Sequence, residues 1–283
     1  LKHGTEFPGD IKAIALELLE TVKPVDNLQI FAVDSFMLCN AGAYIYQELG
    51  YALSWGAEWM TMLTDADVKA DIVATRIKFN MEIAKFRAAR MLWAQIVEQY
   101  KPDSKQSAKM LVHAITSRFN QTIYDAHVNL LRSQTESMSA ALAGVDSITT
   151  TPFDAPYKKP DAFSERIARN QQHLLKEESH LDKVIDPAGG SYYVETLTLS
   201  IAEQAWKLFL DVEEKGGFLA CINDGTVQAA VNESNAKRHT DVARRKEILL
   251  GTNQYPNINE TAAGKIETTG AACGCHHGDH DHC

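Results

Sequence analysis

Thiols and imidazoles are concentrated at the carboxyl end of this sequence. Side chains of these two types bind zinc, nickel and copper. Their spacing matches no structural zinc site, and a flexible tail would lose conformational entropy on binding a metal. The pattern therefore favours a weakly chelating tail, and a protein that acts through this metal-binding tail stays open as an alternative. The residues concerned are Cys273, Cys275, His276, His277, His280, His282 and Cys283.

A second stretch with chemical side chains runs from Arg166 to Glu195 and reads RIARNQQHLLKEESHLDKVIDPAGGSYYVE. Its first part predicts a helix, which Asp186-Pro187 ends because proline clashes with the preceding turn. Gly189-Gly190 then allow a sharp turn, after which Tyr192-Tyr193 would form a packed pair. From these residues alone, the stretch is a structural cap at the end of a helix.

Composition limits the function classes that this chain can have. Its 283 residues could form one large domain or two small ones. A net charge of −9 argues against nucleic acid or an anionic membrane surface as a partner. No apolar run approaches the roughly 18 residues that a membrane-spanning helix needs. Cys39 and Cys221 stand alone in apolar stretches, so a reducing cytoplasm is the expected location.

Helical and strand patterns alternate along the first half of the chain. This alternation is typical of an α/β fold with parallel strands. The patterns alone do not distinguish half of a closed barrel from a small open sheet. The predicted strands are 28–33, 71–79, 111–116 and 146–151, and the predicted helices are 11–22, 41–63, 81–100 and 127–143.

The last third of the chain predicts further helices at 200–214, 218–232 and 234–246. From Pro256 the composition becomes small and polar, which indicates a flexible tail. We therefore expect a folded part at 1–255 and a Cys/His-rich tail at 256–283. The last predicted helix carries four cations that we interpret as a solvated face: Lys237, Arg238, Arg244 and Arg245.

The segments RIARN, EES and DPAGGSYYVE together resemble the signature of the methylmalonyl-CoA mutase family. Those enzymes rearrange a carbon skeleton with adenosylcobalamin inside a TIM barrel. The resemblance extends from about Asn27 to Tyr255 and implies the C-terminal half of a (β/α)8 barrel, with the other half expected before Leu1. Ala188 stands where catalytic chains carry tryptophan, as in the small subunit of the heterodimeric mutases.

The resemblance also indicates which positions should carry the chemistry, at the carboxyl ends of the barrel strands. A Tyr-His pair of the catalytic chains is replaced by Phe36-Met37, and methionine cannot donate a hydrogen bond to a carbonyl oxygen. A Gln-Thr-Ser-Gly loop of the catalytic chains is replaced by Ile115–Arg118 in this sequence. Ile115 removes a polar contact of the glutamine, and Arg118 adds a long cation in place of glycine. An Asp-Glu pair reads Asp154-Ala155.

A further set in the catalytic chains is Arg-x-Ser, which holds the CoA moiety. A count without gaps from the helix MEIAKFRA places Val68, Lys69 and Ala70 at these positions. No guanidinium fork and no hydroxyl remain there, although Lys69 keeps a point charge. The Asp-x-His-x-x-Gly motif that supplies the lower cobalamin ligand does not occur in the sequence.

These replacements lead to the expectation of a small, non-catalytic subunit. It would pair with a large catalytic subunit that binds adenosylcobalamin, and the complex would interconvert methylmalonyl-CoA and succinyl-CoA. No cofactor is expected on this chain. A divergent catalytic acyl-CoA mutase is the alternative from the enzyme class.

Overall fold

Four short parallel strands form the sheet around which the described part of the chain is built. A computed structural model describes residues 10–22, 30–71 and 76–267. The strands lie side by side in chain order, which confirms the predicted parallel arrangement. Positions 28–29 and 72–75 of the predicted strands lie outside the described residues. The strands are β1 (Ala32–Val33), β2 (Arg76–Phe79), β3 (Leu111–Ile115) and β4 (Ser147–Thr149).

Helices follow each strand and then continue without strands to the end of the described chain. The segment after β1, predicted as a loop, contains a short helix, because Ser35 to Asn40 close successive helical hydrogen bonds. The helices are α1 (Ile11–Val22), α2 (Phe36–Asn40), α3 (Ile45–Thr64), α4 (Ile83–Gln99), α5 (Val128–Leu142), α6 (Ala162–Glu177), α7 (Tyr192–Glu214), α8 (Phe218–Asn223) and α9 (Thr226–Ala243). Short 3-10 turns lie at Lys105–Ala108 and Leu181–Lys183.

The hydrophobic core lies between the sheet and helices α3, α4 and α7. Strand residues Ile77 and Val112 are fully buried on this side. Gly56 on α3 allows close approach to α4, since an added Cβ would lie 2.5 Å from a ring carbon of Trp93. The apolar residues of α3 and α4 therefore cover one face of the sheet, as in an α/β protein.

The other face of the sheet is polar. Nζ of Lys78 lies 2.7 Å from Oδ1 of Asp34. His113, predicted as a strand residue, lies in β3 with Nδ1 2.7 Å from Oγ of Ser147 and Nε2 3.1 Å from Oγ1 of Thr149. In a (β/α)8 barrel, helices cover the outer face of the sheet and the other face lines the barrel interior. The fold is α/β and is consistent with half of such a barrel.

Within the stretch from Arg166 to Glu195, α6 ends at Glu177 and a turn held by ionic contacts leads into α7. Arg87 on α4 contacts Asp186 at 3.2 Å and Glu195 at 2.9 Å, and Glu195 also accepts the N–H of Gly190 at 2.9 Å. The prediction of a packed tyrosine pair is wrong. Tyr192-Tyr193 are 93% and 76% exposed and lie in the first turn of α7, which begins at Tyr192.

The first residues of the predicted tail contact the loops that follow β3 and β4. Glu260 accepts the N–H of Asp125 at 2.7 Å and is ion-paired with Lys265. The N–H of Glu267 donates to the carbonyl of Tyr157 at 2.9 Å. The Cys/His cluster at 273–283 lies outside the described residues. Within the described ranges, no helix has the length and apolar character needed to cross a membrane.

Candidate functional site

The carboxyl ends of the strands meet at one edge of the sheet, where a barrel enzyme carries its chemistry. One amide, that of Asn40 at the end of α2, connects three of these ends. Its Oδ1 accepts the N–H of Arg118 at 3.0 Å and lies 3.4 Å from Nδ2 of Asn80 and 3.5 Å from Oγ of Ser117. The polar groups that follow β1, β2 and β3 therefore bind one another.

The ends of β3 and β4 are connected in the same way. Oγ1 of Thr116 accepts the N–H of Thr151 at 2.7 Å. Oε2 of Glu136 on α5 accepts the N–H of Ser117 at 2.6 Å. Burial raises the pKa of Glu136 to about 7, although this hydrogen bond partly opposes the effect. This edge is thus closed by short side chains that already have partners.

A buried ionic cluster lies directly behind this edge. Nζ of Lys85 on α4 is 2.5 Å from Oε2 of Glu48 on α3 and is also paired with Glu82. The other oxygen of Glu48 accepts the N–H of Asn80 at 2.9 Å. The sequence did not reveal this cluster, because its members lie in segments with a helical pattern. Charged residues in such segments are normally exposed to solvent. The only available signal was that Glu48 and Lys85 each fall among apolar neighbours.

The cluster titrates away from ordinary values. Burial raises the pKa of Glu48 to about 7, Lys85 opposes this, and the second carboxylate, Glu82, adds to it. Burial alone would lower the pKa of Lys85, but the two carboxylates hold it above its usual value. The cation therefore stays charged and compensates the buried carboxylate of Glu48.

The five predicted catalytic positions lie at or after the carboxyl ends of β1, β3 and β4. Phe36-Met37 are half-buried in α2, Ile115 ends β3, and Ala155 lies in the loop after β4. Arg118 follows Ile115, and its backbone N–H is the one bound by Asn40. The structure thus gathers these positions, and the side chains of Met37, Ile115 and Ala155 offer no strong donor there.

The predicted CoA-binding positions lie elsewhere. Val68, Lys69 and Ala70 are in the connection that precedes β2, and residues before a parallel strand lie at its amino end. Nζ of Lys69 lies 2.8 Å from Asp103, which is in the connection that precedes β3. The structure does not bring these three residues to the edge that carries Met37 and Ile115.

A cavity of about 200 Å³ remains at the carboxyl edge, and α9 covers it. Arg238 of α9 stacks on the ring of Phe119, with Cζ 3.7 Å from the ring centre, and donates to the carbonyl of Ala43 at 3.3 Å. The prediction of a solvated face is therefore wrong for Arg238, which the packing of α9 over the edge half-buries. The other three cations of that face, Lys237, Arg244 and Arg245, are exposed as predicted.

A second, wider groove of about 570 Å³ lies between β4 and α6. Glu165, Arg169 and His173 line it from successive turns of α6. His173 is exposed on the surface of α6. In the described residues β4 pairs on one side only, with β3, so this groove follows the free edge of the sheet.

Comparison with known proteins gives the family. A sequence model described as Methylmalonyl-CoA mutase matches residues 12–272. The chain belongs to the methylmalonyl-CoA mutase family. A protein named methylmalonyl-CoA mutase small subunit, from Porphyromonas gingivalis, is 56% identical over 275 residues, which are 94% of this chain and 44% of that protein.

Two further mutases are more distant. The methylmalonyl-CoA mutase large subunit of Porphyromonas gingivalis is 35% identical over 243 residues, 83% of this chain and 34% of the relative. The methylmalonyl-CoA mutase of Rhizobium meliloti is 35% identical over 268 residues, 92% of this chain and 38% of the relative. The chain spans less than half the length of these mutases.

Mutases of this family use adenosylcobalamin, and the carboxyl edge of this chain does not fit that group. Pockets for small molecules and cofactors usually measure about 300–1,000 Å³, whereas the cavity here measures about 200 Å³. Arg238, which stacks on Phe119, lines it, and Asn40 and Thr116 are occupied by neighbouring backbone groups. Within the described ranges, no three His, Cys, Asp or Glu side chains are grouped to hold a metal ion.

Proposed function

We propose that this chain is part of the small subunit of a heterodimeric, adenosylcobalamin-dependent methylmalonyl-CoA mutase. In this proposal a large subunit binds the cofactor and interconverts methylmalonyl-CoA and succinyl-CoA, and this chain contributes structure to the complex. The 56% identity to a protein named small subunit supports the assignment. A large subunit in the same organism as that relative supports a two-chain enzyme.

The observation that carries the non-catalytic role is the chemistry of the carboxyl edge. Met37, Ile115 and Ala155 stand at positions where a carbonyl donor, a polar substrate contact and a carboxylate are expected. An oriented donor is commonly worth about 3 kcal/mol at a transition state. Losing several such groups would therefore lower turnover by many orders of magnitude.

The remaining side chains at this edge stabilise the fold. Asn40, Thr116 and Glu136 fix the strand ends, and Lys85 with Glu48 joins α3 to α4. Such a closed edge excludes a thioester substrate and preserves the shape of a barrel half. We assign none of these residues a role in contacting substrate.

We place the complex in the cytoplasm, with no nucleic acid or membrane as partner. Cys39 and Cys221 are free thiols and both are buried, as suits a reducing compartment. The net charge of −9 would repel anionic polymers and lipid surfaces. Metal binding by the Cys/His tail stays an alternative function of 273–283.

Affinity purification tests the pairing. The natural polypeptide that contains this chain would carry a tag, and the large mutase subunit would be co-expressed without one. We expect both chains to elute in equal amounts with cobalamin absorbance. After separation in denaturant, which releases the cofactor, we expect the large subunit refolded alone to bind added adenosylcobalamin. Elution of the tagged chain without the large subunit would contradict the proposal.

A further inference from the structure

The lining of the small cavity at the carboxyl edge combines apolar residues such as Ile45 and Met81 with polar and acidic ones. Carboxylates of Glu82, Glu136 and Glu247 reach it from three different segments. The cation among its lining residues is Arg238. This excess of negative charge favours a positively charged occupant.

One acceptor in the lining is buried and unpaired. Asn80 is 1% exposed, and among the described residues its Oδ1 has no hydrogen-bond partner. Its other polar groups are used, since the backbone N–H donates to Glu48 and Nδ2 faces Asn40. Leaving a buried amide oxygen unpaired costs about 1–3 kcal/mol, so this oxygen indicates a missing donor.

The nearby cations do not supply that donor. Lys85 is held between Glu48 and Glu82, and Arg238 is stacked on Phe119. One carboxylate oxygen of Glu136 accepts the N–H of Ser117. Burial is the main cause that raises the pKa of Glu136 to about 7. An additional donor with positive charge would satisfy Asn80 and stabilise the ionised form of Glu136.

We propose that this cavity binds a small primary ammonium ion, whose N–H groups donate to Oδ1 of Asn80 and to the carboxylates of Glu82 and Glu136. An ammonium group has three donors and no acceptor, which matches this lining. Tyr44 also lines the cavity, and its ring already faces Lys237 at 5.7 Å and Arg238 at 5.9 Å. The volume of about 200 Å³ admits a short amine and excludes a cofactor. This inference goes beyond the proposed function and does not depend on it.

Isothermal titration calorimetry with methylammonium chloride tests the proposal on the natural polypeptide, purified with its large subunit or without it. Sodium, potassium and tetramethylammonium chlorides at the same ionic strength serve as comparisons. We expect saturable binding of methylammonium alone, because tetramethylammonium has no N–H group and metal cations cannot donate. Glu136→Gln should weaken binding about tenfold, the range expected for one charge-assisted hydrogen bond.

Variants and alternative outcomes make the test decisive. Glu233→Gln, on the exposed side of α9, should leave binding unchanged. If Glu136→Gln does not fold, Glu247→Gln at the half-buried rim of the cavity replaces it and should also weaken binding. The proposal would be overturned if potassium or tetramethylammonium bound as well as methylammonium, or if the cavity variants bound methylammonium unchanged. It would also be overturned if methylammonium did not bind at all. The last result would mean that water alone satisfies Asn80.

Discussion

Nζ of Lys85 lies 2.5 Å from Oε2 of Glu48, and neither side chain is exposed to solvent. This pair joins α4 to α3 directly behind the carboxyl edge of the sheet. Glu82 provides a second carboxylate to the same ammonium. One cation therefore compensates the buried carboxylate of Glu48 and the partly exposed carboxylate of Glu82, so Lys85 is the member whose loss should destabilise the cluster most.

Replacement of this lysine should strongly destabilise the protein. Lys85→Met leaves Glu48 buried without its cation, and breaking a buried pair from one side commonly costs about 3–5 kcal/mol. Urea denaturation at pH 7 would measure the free energy of unfolding. Lys176→Met, at an exposed ion pair on α6, is the control and should change it by less than about 0.5 kcal/mol. Equal stability of the two variants would contradict the structural role of the pair.

Stability should depend on pH through Glu136. Its pKa rises from 4.5 to about 7 on folding, so the folded state binds the proton more tightly. The contribution of this group is fully present below about pH 4.5 and is lost as the pH rises through 7. Glu136→Gln keeps an acceptor for Ser117 and removes this dependence. We expect the variant to gain on the order of 2 kcal/mol over wild type between pH 5 and pH 8.

Paired urea titrations at several pH values measure this difference. Other groups titrate in both proteins, so the difference between the two curves isolates Glu136. Glu233→Gln, which changes an exposed carboxylate, should follow the wild-type curve. A constant difference between Glu136→Gln and wild type across this pH range would show that Glu136 does not titrate as described.

The signature turn should depend on Arg87. This guanidinium contacts Asp186 and Glu195 together, and the carboxylate of Glu195 also holds the N–H of Gly190. Lysine offers a point charge and cannot reproduce the planar fork. Arg87→Lys should therefore destabilise the turn by about 1 kcal/mol and speed hydrogen exchange at Gly190 about fivefold.

Hydrogen exchange followed by mass spectrometry would resolve this effect. Arg169→Lys on the exposed side of α6 serves as the matched control, since Arg169 lies at the open groove beside β4. Exchange in the segment 186–195 should change only in Arg87→Lys. If both variants exchange alike, the ionic contacts of Arg87 do not fix the turn.

Much of the fold could be predicted because parallel strands and amphipathic helices leave strong apolar patterns. Each predicted strand with described residues is a strand, since burial by helices requires apolar residues such as Ile77 and Val112. The segments RIARN, EES and DPAGGSYYVE indicated the family independently of the strand and helix patterns. Local sequence could not predict that Tyr192-Tyr193 face outward, because tyrosine suits both buried and exposed positions.

The site was harder to predict, because it depends on contacts between distant segments. Arg238 is half-buried by stacking on Phe119, a residue more than a hundred positions away along the chain. Glu48 and Lys85 are charged residues inside helical patterns, where a solvated position is the usual outcome. The gap-free count placed Val68, Lys69 and Ala70 directly before the predicted strand 71–79, and the structure likewise has them before β2.

We propose that this chain lacks the chemistry of a mutase at its own carboxyl edge. The most direct measurement is adenosylcobalamin binding and succinyl-CoA formation from methylmalonyl-CoA by the natural polypeptide, first alone and then with the large subunit added. We predict weak cofactor binding and no turnover for the polypeptide alone, and turnover after mixing, because Met37, Ile115 and Ala155 cannot replace the missing donors and carboxylate. Stoichiometric adenosylcobalamin binding with succinyl-CoA formed by the polypeptide alone would contradict the account.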